Sequence, residues 1–316
     1  MRLALAVVVV FAVAVAVAVA VGCAPASSPA SRQAAPTAPA TTALSLPAAV
    51  TTSAPTLYRV DVVEPGFLAL EVDVGTVALS SSTDARSVPD LAGPAVRAGA
   101  MVTPGTWFVI VDSAGASVRA ALDTPASLTA LGLGDDVASD ALHAFATAWG
   151  QGDTDRFTFS VTDFSLRSSV PREWIVDLAS GAVLWNLIVA HGEGSSLPSD
   201  HGYADVFSNV DGSHQSSLGM MRAAEDYSGT YGHSMRLDGL EPGTNDLVRP
   251  RAIVVHPWTG SRAEYVAQNG MAAETFGCPA VDDRVLDDVI PVMDNGGLFF
   301  FWYPDATWRA SSPYLQ

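Results

Sequence analysis

Between Leu57 and about Pro125 the apolar residues come in short runs broken by turn residues. "LYRVDVV" is followed by "EPG" and "FLALEVDV" by Gly75, and "MVTPGTWFVIVD" and "ASVRAAL" come later. Within the second run, Phe67, Ala69, Glu71 and Asp73 alternate with Leu68, Leu70, Val72 and Val74. A period of two belongs to strands, because successive side chains point to opposite faces. Pro65-Gly66 and Pro104-Gly105 are turn pairs. Residues 56–126 therefore read as a small β-sandwich. The stretch has no His, no Cys and no clustered carboxylates, so spacing or binding is its expected task.

Residues 127–316 read as a second, mixed unit. "SLTALGLGDD" leads into a helix near Val137 to Trp149, where Leu142, Phe145 and Trp149 repeat at helical spacing and Gly150 stops the run. Strand-like runs follow: "FTFSVTDFS", "EWIVDL", "AVLWNLIVAH", "RAIVVH" and "LFFFWY". A last helix over about Asp283 to Met293 has Val285, Leu286, Val289, Ile290 and Met293 on one face, and Asn295-Gly296-Gly297 ends it. The fold class is mainly β with a few helices.

The N-terminus reads as an export signal. Arg2 precedes an uncharged apolar run, Leu3 to Val21, that ends in small residues. The segment "AVGC", Ala20 to Cys23, resembles a bacterial lipobox, with Ala20 where Leu is commoner. Residues 1–23 are thus expected to be a signal peptide with Cys23 lipidated, joining the chain to a membrane. An ordinary secretory signal and an uncleaved anchor are the alternatives. All three readings put the body outside the cytoplasmic membrane. Residues 24–55 are rich in Ala, Pro, Ser and Thr without an acidic residue, which suits a disordered tether.

Formal charge is −17, from 33 acidic and 16 basic groups, and lysine is absent. That balance argues against a nucleic-acid partner, which needs cationic patches. The chain has two cysteines. If Cys23 carries lipid, Cys278 has no intramolecular partner. An unpaired exported cysteine is either buried and inert or a reactive thiol. All six histidines lie in the second unit: His143, His191, His201, His214, His233 and His256. His256 ends the strand-like "RAIVVH", and "TFGCPA" brings Cys278 twenty-two residues later. An imidazole that takes the thiol's proton makes a nucleophile. Gly277 lets backbone approach a substrate carbonyl, and the amides of Gly277 and Cys278 suit an oxyanion. The competing reading is a buried Cys and a strand-end His bonded to backbone. "HGEGSSLPSDH" offers His191, Glu193, Asp200 and His201, but no helical pair with metal-ligand spacing, so no metal site is expected. No nucleophile-elbow motif marks a serine hydrolase.

"VAHGEGSS", "FSNVDGSHQSSLGMM", "YSGTYGHSMRLDGLEPGTND", "RPRAIVVH" and "FGCPAV" occur in that order. Together they resemble the murein L,D-transpeptidase catalytic domain family, over about Arg172 to Tyr303. The preceding sandwich is similar to accessory domains found beside secreted bacterial hydrolases. The family resemblance implies a β-sheet catalytic domain with the thiol on a loop beside a substrate groove. It implies peptidoglycan stem peptides as substrate and no cofactor. It makes Cys278 the nucleophile and His256 the base. It assigns His191, Ser216, Ser217, Gly219, Thr275 and Phe276 to the groove. Arg236, Asp238, Asn245 and Arg251 fall on characteristic positions, which read as structural supports of the site's loops.

The chain departs from the family pattern. Glu274, Thr275 and Phe276 stand where a basic residue, Ser and Trp are usual, and Pro257 follows the base histidine where Gly is usual. A carboxylate at residue 274 would oppose thiolate formation or else orient an imidazole. Two functions are therefore carried forward. One is a cysteine acyltransferase passing a stem peptide from a thioester to an amine, or to water as an L,D-carboxypeptidase. The other is a wall-binding lipoprotein that keeps the fold without activity.

Overall fold

The computed structural model describes residues 41–81 and 96–316. The export signal, Cys23 and the tether as far as residue 40 lie outside the described residues. Strands β1 (Thr42–Ala43), β2 (Ala48–Thr51), β3 (Thr56–Val62), β4 (Gly66–Val72), β5 (Val77–Ser80), β6 (Val96–Val102), β7 (Gly105–Val111) and β8 (Ser117–Asp123) make two four-stranded sheets. Their orders are β1-β3-β7-β5 and β2-β8-β4-β6. The sheets begin at Thr42, inside the stretch that composition assigned to a tether ending at 55. Composition misleads here because sheet edges supply the bonds that short Ala/Thr-rich segments lack. β2 pairs antiparallel with β8, and the buried Leu44 donates its N–H to Arg59 O at 2.8 Å.

Helices α1 (Pro125–Ala130) and α2 (Asp135–Gln151) follow. Asp135 and Asp136 in the first turn of α2 suit the helix dipole. Gly150, expected to stop this helix, lies within it. Gly152 ends it in the left-handed conformation at φ 80°, which glycine adopts without steric cost.

The remaining elements are β9 (Thr158–Asp163), β10 (Glu173–Asp177), β11 (Ala182–Leu187), β12 (Ser196–Leu197), β13 (Asp200–Ala204), β14 (Gly219–Gly229), β15 (Gly232–Gly239), β16 (Val254–Trp258), α3 (Ala263–Asn269), β17 (Ala280–Asp282), α4 (Leu286–Met293), β18 (Leu298–Trp302) and α5 (Ala306–Ser311). Eight of these strands form one sheet, ordered β11-β10-β9-β18-β14-β15-β16-β17. The central β18 reads "LFFFW" and is buried along its whole length, as an interior strand covered on both faces should be. The β14–β15 hairpin escaped the apolar-run reading because its strands are rich in charge and glycine. It turns through Thr230 and Tyr231, with Gly229 opposite Gly232.

Period two in a sandwich strand implies one wet face, yet β4 is buried on both. Leu68, Leu70 and Val72 join Val60, Val109 and Val118 in the sandwich core. Phe67 and Ala69, on the opposite face, belong to the core of the eight-stranded half. The Phe67 ring meets Phe145 edge-on at 5.1 Å, and Trp149 and Phe157 at 6.0 and 6.3 Å. The described residues thus belong to one compact unit. Phe67→Ala should cost about 3–5 kcal/mol, the range for emptying a buried aromatic site. Urea unfolding should remain one transition for both halves. Two separated transitions in the wild-type chain would contradict the shared core.

Candidate active site

β16 and β17 pair in parallel, with His256 opposite Ala280. Two residues earlier on each segment, the Val254 N–H points at Cys278 Sγ, 3.5 Å away. Sγ also lies 3.7 Å from Ala252 O. This register brings the thiol and the imidazole to one cavity of about 280 Å³, also lined by Tyr231, Trp258, Arg251, Glu274, Thr275 and Phe276. Cys278 is a free thiol.

His256 Nδ1 is 3.1 Å from Pro257 O. A carbonyl only accepts, so Nδ1 carries the hydrogen and Nε2 keeps its lone pair. The ring is buried, stacks on Tyr231 at 4.4 Å and meets the edge of Trp258 at 5.6 Å. Burial lowers its pKa, so the imidazole is neutral at neutral pH. Burial also pushes the Cys278 thiol up, against the smaller pulls of the Val254 N–H and the Arg251 charge. The resting pair is therefore a neutral thiol beside a neutral imidazole. Among the described residues no hydrogen bond joins them.

The loop that carries Cys278 is braced from within. Thr275 Oγ1 donates to Cys278 O at 2.7 Å and accepts the Gly277 N–H at 3.2 Å. The Gly277 amide is thereby engaged, which corrects the expectation that it faces an oxyanion. The Cys278 amide has no partner among the described residues and remains as a donor. Gly277 has φ +111°, and a Cβ there would come within 2.6 Å of Gln215 O, so only glycine fits.

Four residues assigned to the groove lie behind it instead. His191 is 1% exposed. Its Nδ1 accepts from Arg172 Nη2 at 2.8 Å, so its Nε2–H donates to Ser196 Oγ at 3.1 Å. Burial and the Arg172 charge lower its pKa to about 3, so it stays neutral. Ser216 is buried, donates to Gly277 O at 3.2 Å and accepts the Gly192 N–H at 3.0 Å. Ser217 donates to Ser208 O and accepts from Arg251, at 2.8 and 2.7 Å. Gly219 opens β14 where any side chain would collide with the Glu241 carboxylate. These positions are tightly specified, but by the loop's own packing.

Arg251 lines the cavity and also ties Ser208 O and Gln215 O, both at 2.7 Å. Asn245 is buried and bonds Leu218 O, Met220 O and Glu241 N. Arg236 lies over the Tyr227 ring and pairs with Glu225, and Asp238 accepts from Arg249, away from the cavity.

The departures from the family pattern have partners. Glu274 Oε1 accepts from Ser196 Oγ and lies 3.0 Å from His201 Nδ1. Pro257 supplies the carbonyl that sets the His256 tautomer. Phe276 stacks on His214 at 4.3 Å and is largely exposed. Among the described residues no three His, Cys, Asp or Glu side chains group to hold a metal. Sequence reasoning missed Tyr231, Trp258, Arg172 and Ser196. The Gly-flanked pair in "SGTYGHS" was a hairpin signal for Tyr231, and Trp258 shares a strand face with His256. Nothing in "VPREW" marks Arg172.

No curated relative matches the chain. Among solved structures it is similar to an L,D-transpeptidase from Mycobacterium smegmatis, at 11% identity and TM-score 0.29, over 82% of this chain and 96% of that one. It is also similar to a point-mutant form of the helical cell shape determining protein Pgp2 from Campylobacter jejuni, at 12% identity and TM-score 0.32, over 54% and 60% of the two chains. A third similarity, to the pre-peptidase C-terminal domain of a Bacillus anthracis collagenase, has 14% identity and TM-score 0.21 over 26% and 94%. The family model for the L,D-transpeptidase catalytic domain matches residues 131–302, more than half of the chain. The chain belongs to the L,D-transpeptidase catalytic domain family.

Proposed function

We propose that this protein is a peptidoglycan L,D-transpeptidase working through a thioester on Cys278. The observation that carries this reading is the free thiol sharing a cavity with His256, whose Nε2 is the unprotonated nitrogen. His256 takes the thiol proton as Sγ attacks the carbonyl before the terminal D-residue of a tetrapeptide stem. The Cys278 amide donates to the developing oxyanion. The C–N bond breaks, His256 returns its proton to the leaving amine, and a thioester remains. An acceptor amine then adds to the thioester and passes a proton to His256. The C–S bond breaks, and the thiolate recovers that proton. Water in place of the amine makes the same site an L,D-carboxypeptidase. The export signal, a lipid on Cys23 and the tether belong to the same reading. They would hold the site outside the cytoplasmic membrane, facing the wall.

Incubation with a carbapenem, or with a disaccharide-tetrapeptide, should give a mass adduct on the wild-type chain. Cys278→Ala should give none, and His256→Ala should slow adduct formation by about 10²–10⁴-fold. Peptide dimers mark transfer, and loss of the D-residue alone marks hydrolysis. A folded wild-type chain without adduct or turnover would favour the non-catalytic wall-binding protein, for which Glu274 in the cavity is the motivating feature.

The pH dependence follows from burial. His256 must be neutral to act, and its pKa is lowered from 6.5. The acid limb of the acylation rate should therefore fall below pH 6.5. Tyr231→Ala uncovers the ring and should move that limb up towards 6.5. The thiol is raised above 9, so alkylation by iodoacetamide without substrate should accelerate only in the alkaline range. An acid limb at or above 6.5 in the wild type would contradict the buried neutral base.

A further inference from the structure

A second cavity, of about 720 Å³, lies away from Cys278, where the sandwich meets the rest of the chain. Its walls come from residues 43–47, the end of β8, the start of α1 and the Ser180-Gly181 turn. Asp123, the last residue of β8, lines it and is 2% exposed. Its Oδ2 is buried with no hydrogen-bond partner among the described residues. Several other polar groups of the wall are engaged, while the exposed Ser45 hydroxyl has no partner among the described residues. Thr124 and Ser127 cap each other, Ser180 donates to Asp177 at 2.8 Å, and Arg59 pairs with Asp61. Glu64, exposed on the wall, has no partner among the described residues. The apolar wall is aliphatic, with Leu44, Leu46 and Pro47.

A buried carboxyl without a partner loses the hydrogen bonds that water gave it and gains none in return. The cation that would relieve it is absent from the wall, because the one arginine there is already paired. A hard metal ion needs several oxygen ligands, and no group of three acidic or His/Cys side chains exists among the described residues. The exposed Glu64 carboxylate would repel an anion, and Asp123 would join it once ionised. We propose that this cavity binds a primary ammonium group on an aliphatic body, with Asp123 as its counter-ion and Glu64 assisting. This goes beyond the transpeptidase reading. The ammonium could come from a free diamine or from an amine-bearing side chain of a peptide stem.

The site has a distinctive signature. Burial and the nearby Asp177 charge raise the Asp123 pKa to about 8. Asp177 is itself paired with Arg119 at 2.8 Å, and Asp61 with Arg59, so neither arginine neutralises Asp123. Asp123 is thus protonated at neutral pH, and an ammonium ligand must displace that proton. Binding should release about half a proton at pH 8, approach one proton below it, and weaken about tenfold per unit as pH falls further.

Calorimetry on the full chain with 1,5-diaminopentane, in two buffers of different ionisation enthalpy, reads this directly. The expected result is saturable binding at pH 8 with proton release, abolished in Asp123→Asn and weakened severalfold in Glu64→Gln. The second arm titrates a disaccharide-tetrapeptide with a free side-chain amine into Cys278→Ala. Tighter binding there that is lost in Cys278→Ala/Asp123→Asn identifies the stem peptide as the source, and tighter diamine binding identifies the free amine. Carbapenem adduct formation at Cys278 should be unchanged in Asp123→Asn, so this proposal and the transpeptidase reading fail separately. No binding of either probe at millimolar concentration, binding without proton release, or equal binding by Asp123→Asn would overturn it.

Discussion

Arg172 is the largest fully buried side chain among the described residues, and the loop that carries Cys278 hangs from it. It donates to Val189 O at 3.2 and 2.9 Å, to Leu166 O at 2.8 Å and to His191 Nδ1 at 2.8 Å. Those bonds fix the backbone from Val189 to His191. That backbone holds both ends of the loop that carries Cys278. Ala190 N–H reaches Ala280 O at 2.9 Å, Thr275 N–H reaches His191 O at 2.9 Å, and Glu193 N–H reaches Thr275 O at 2.8 Å. Burial lowers the Arg172 pKa only to about 9, so the group is still charged at neutral pH. A lysine would offer one point of charge where four bonds diverge to three residues, so the planar fork is needed.

The same contact sets a direction for protons. Arginine only donates, so His191 must accept at Nδ1 and donate at Nε2 to Ser196. Ser196 in turn donates to Glu274. The carboxylate that looked like a threat to the thiol is thereby turned towards a serine and His201. The charge that acts on Cys278 is Arg251, whose pull favours the thiolate. The substitution of a basic residue by glutamate thus comes with a hydrogen-bonded neighbourhood of its own.

Sequence pattern resolved the elements whose burial is regular and missed those defined by contacts across the chain. The α2 stripe and the β18 run were legible because each repeats or concentrates apolar residues. β4 was legible as a strand, but not as a strand wet on neither face, since Phe67 finds its partners in Phe145, Trp149 and Phe157, far along the chain. That Cys278 and His256 share one cavity was legible from residue type and context. The positions of His191, Ser216, Ser217 and Gly219 were not, because a tightly specified residue looks the same whether it lines a cavity or packs against the back of the loop that does. Only the hydrogen-bond partners separate the two cases. Arg172 left no trace, since one arginine in a chain whose basic groups are all arginine carries no local pattern.

The resting state of the thiol bears on why a free cysteine survives at this position. Thiolates, not thiols, are the species that oxidise and exchange readily. Burial here raises the Cys278 pKa and lowers that of His256, so both shifts disfavour a standing ion pair. A preformed thiolate–imidazolium pair would be more reactive, but towards oxidants as well as substrate. In the setting and mechanism proposed above, a neutral pair that ionises only as a carbonyl arrives would keep the thiol reduced between turnovers. The cost is a proton transfer within the attack step. The fixed His256 tautomer, with Nε2 unprotonated, suits that transfer.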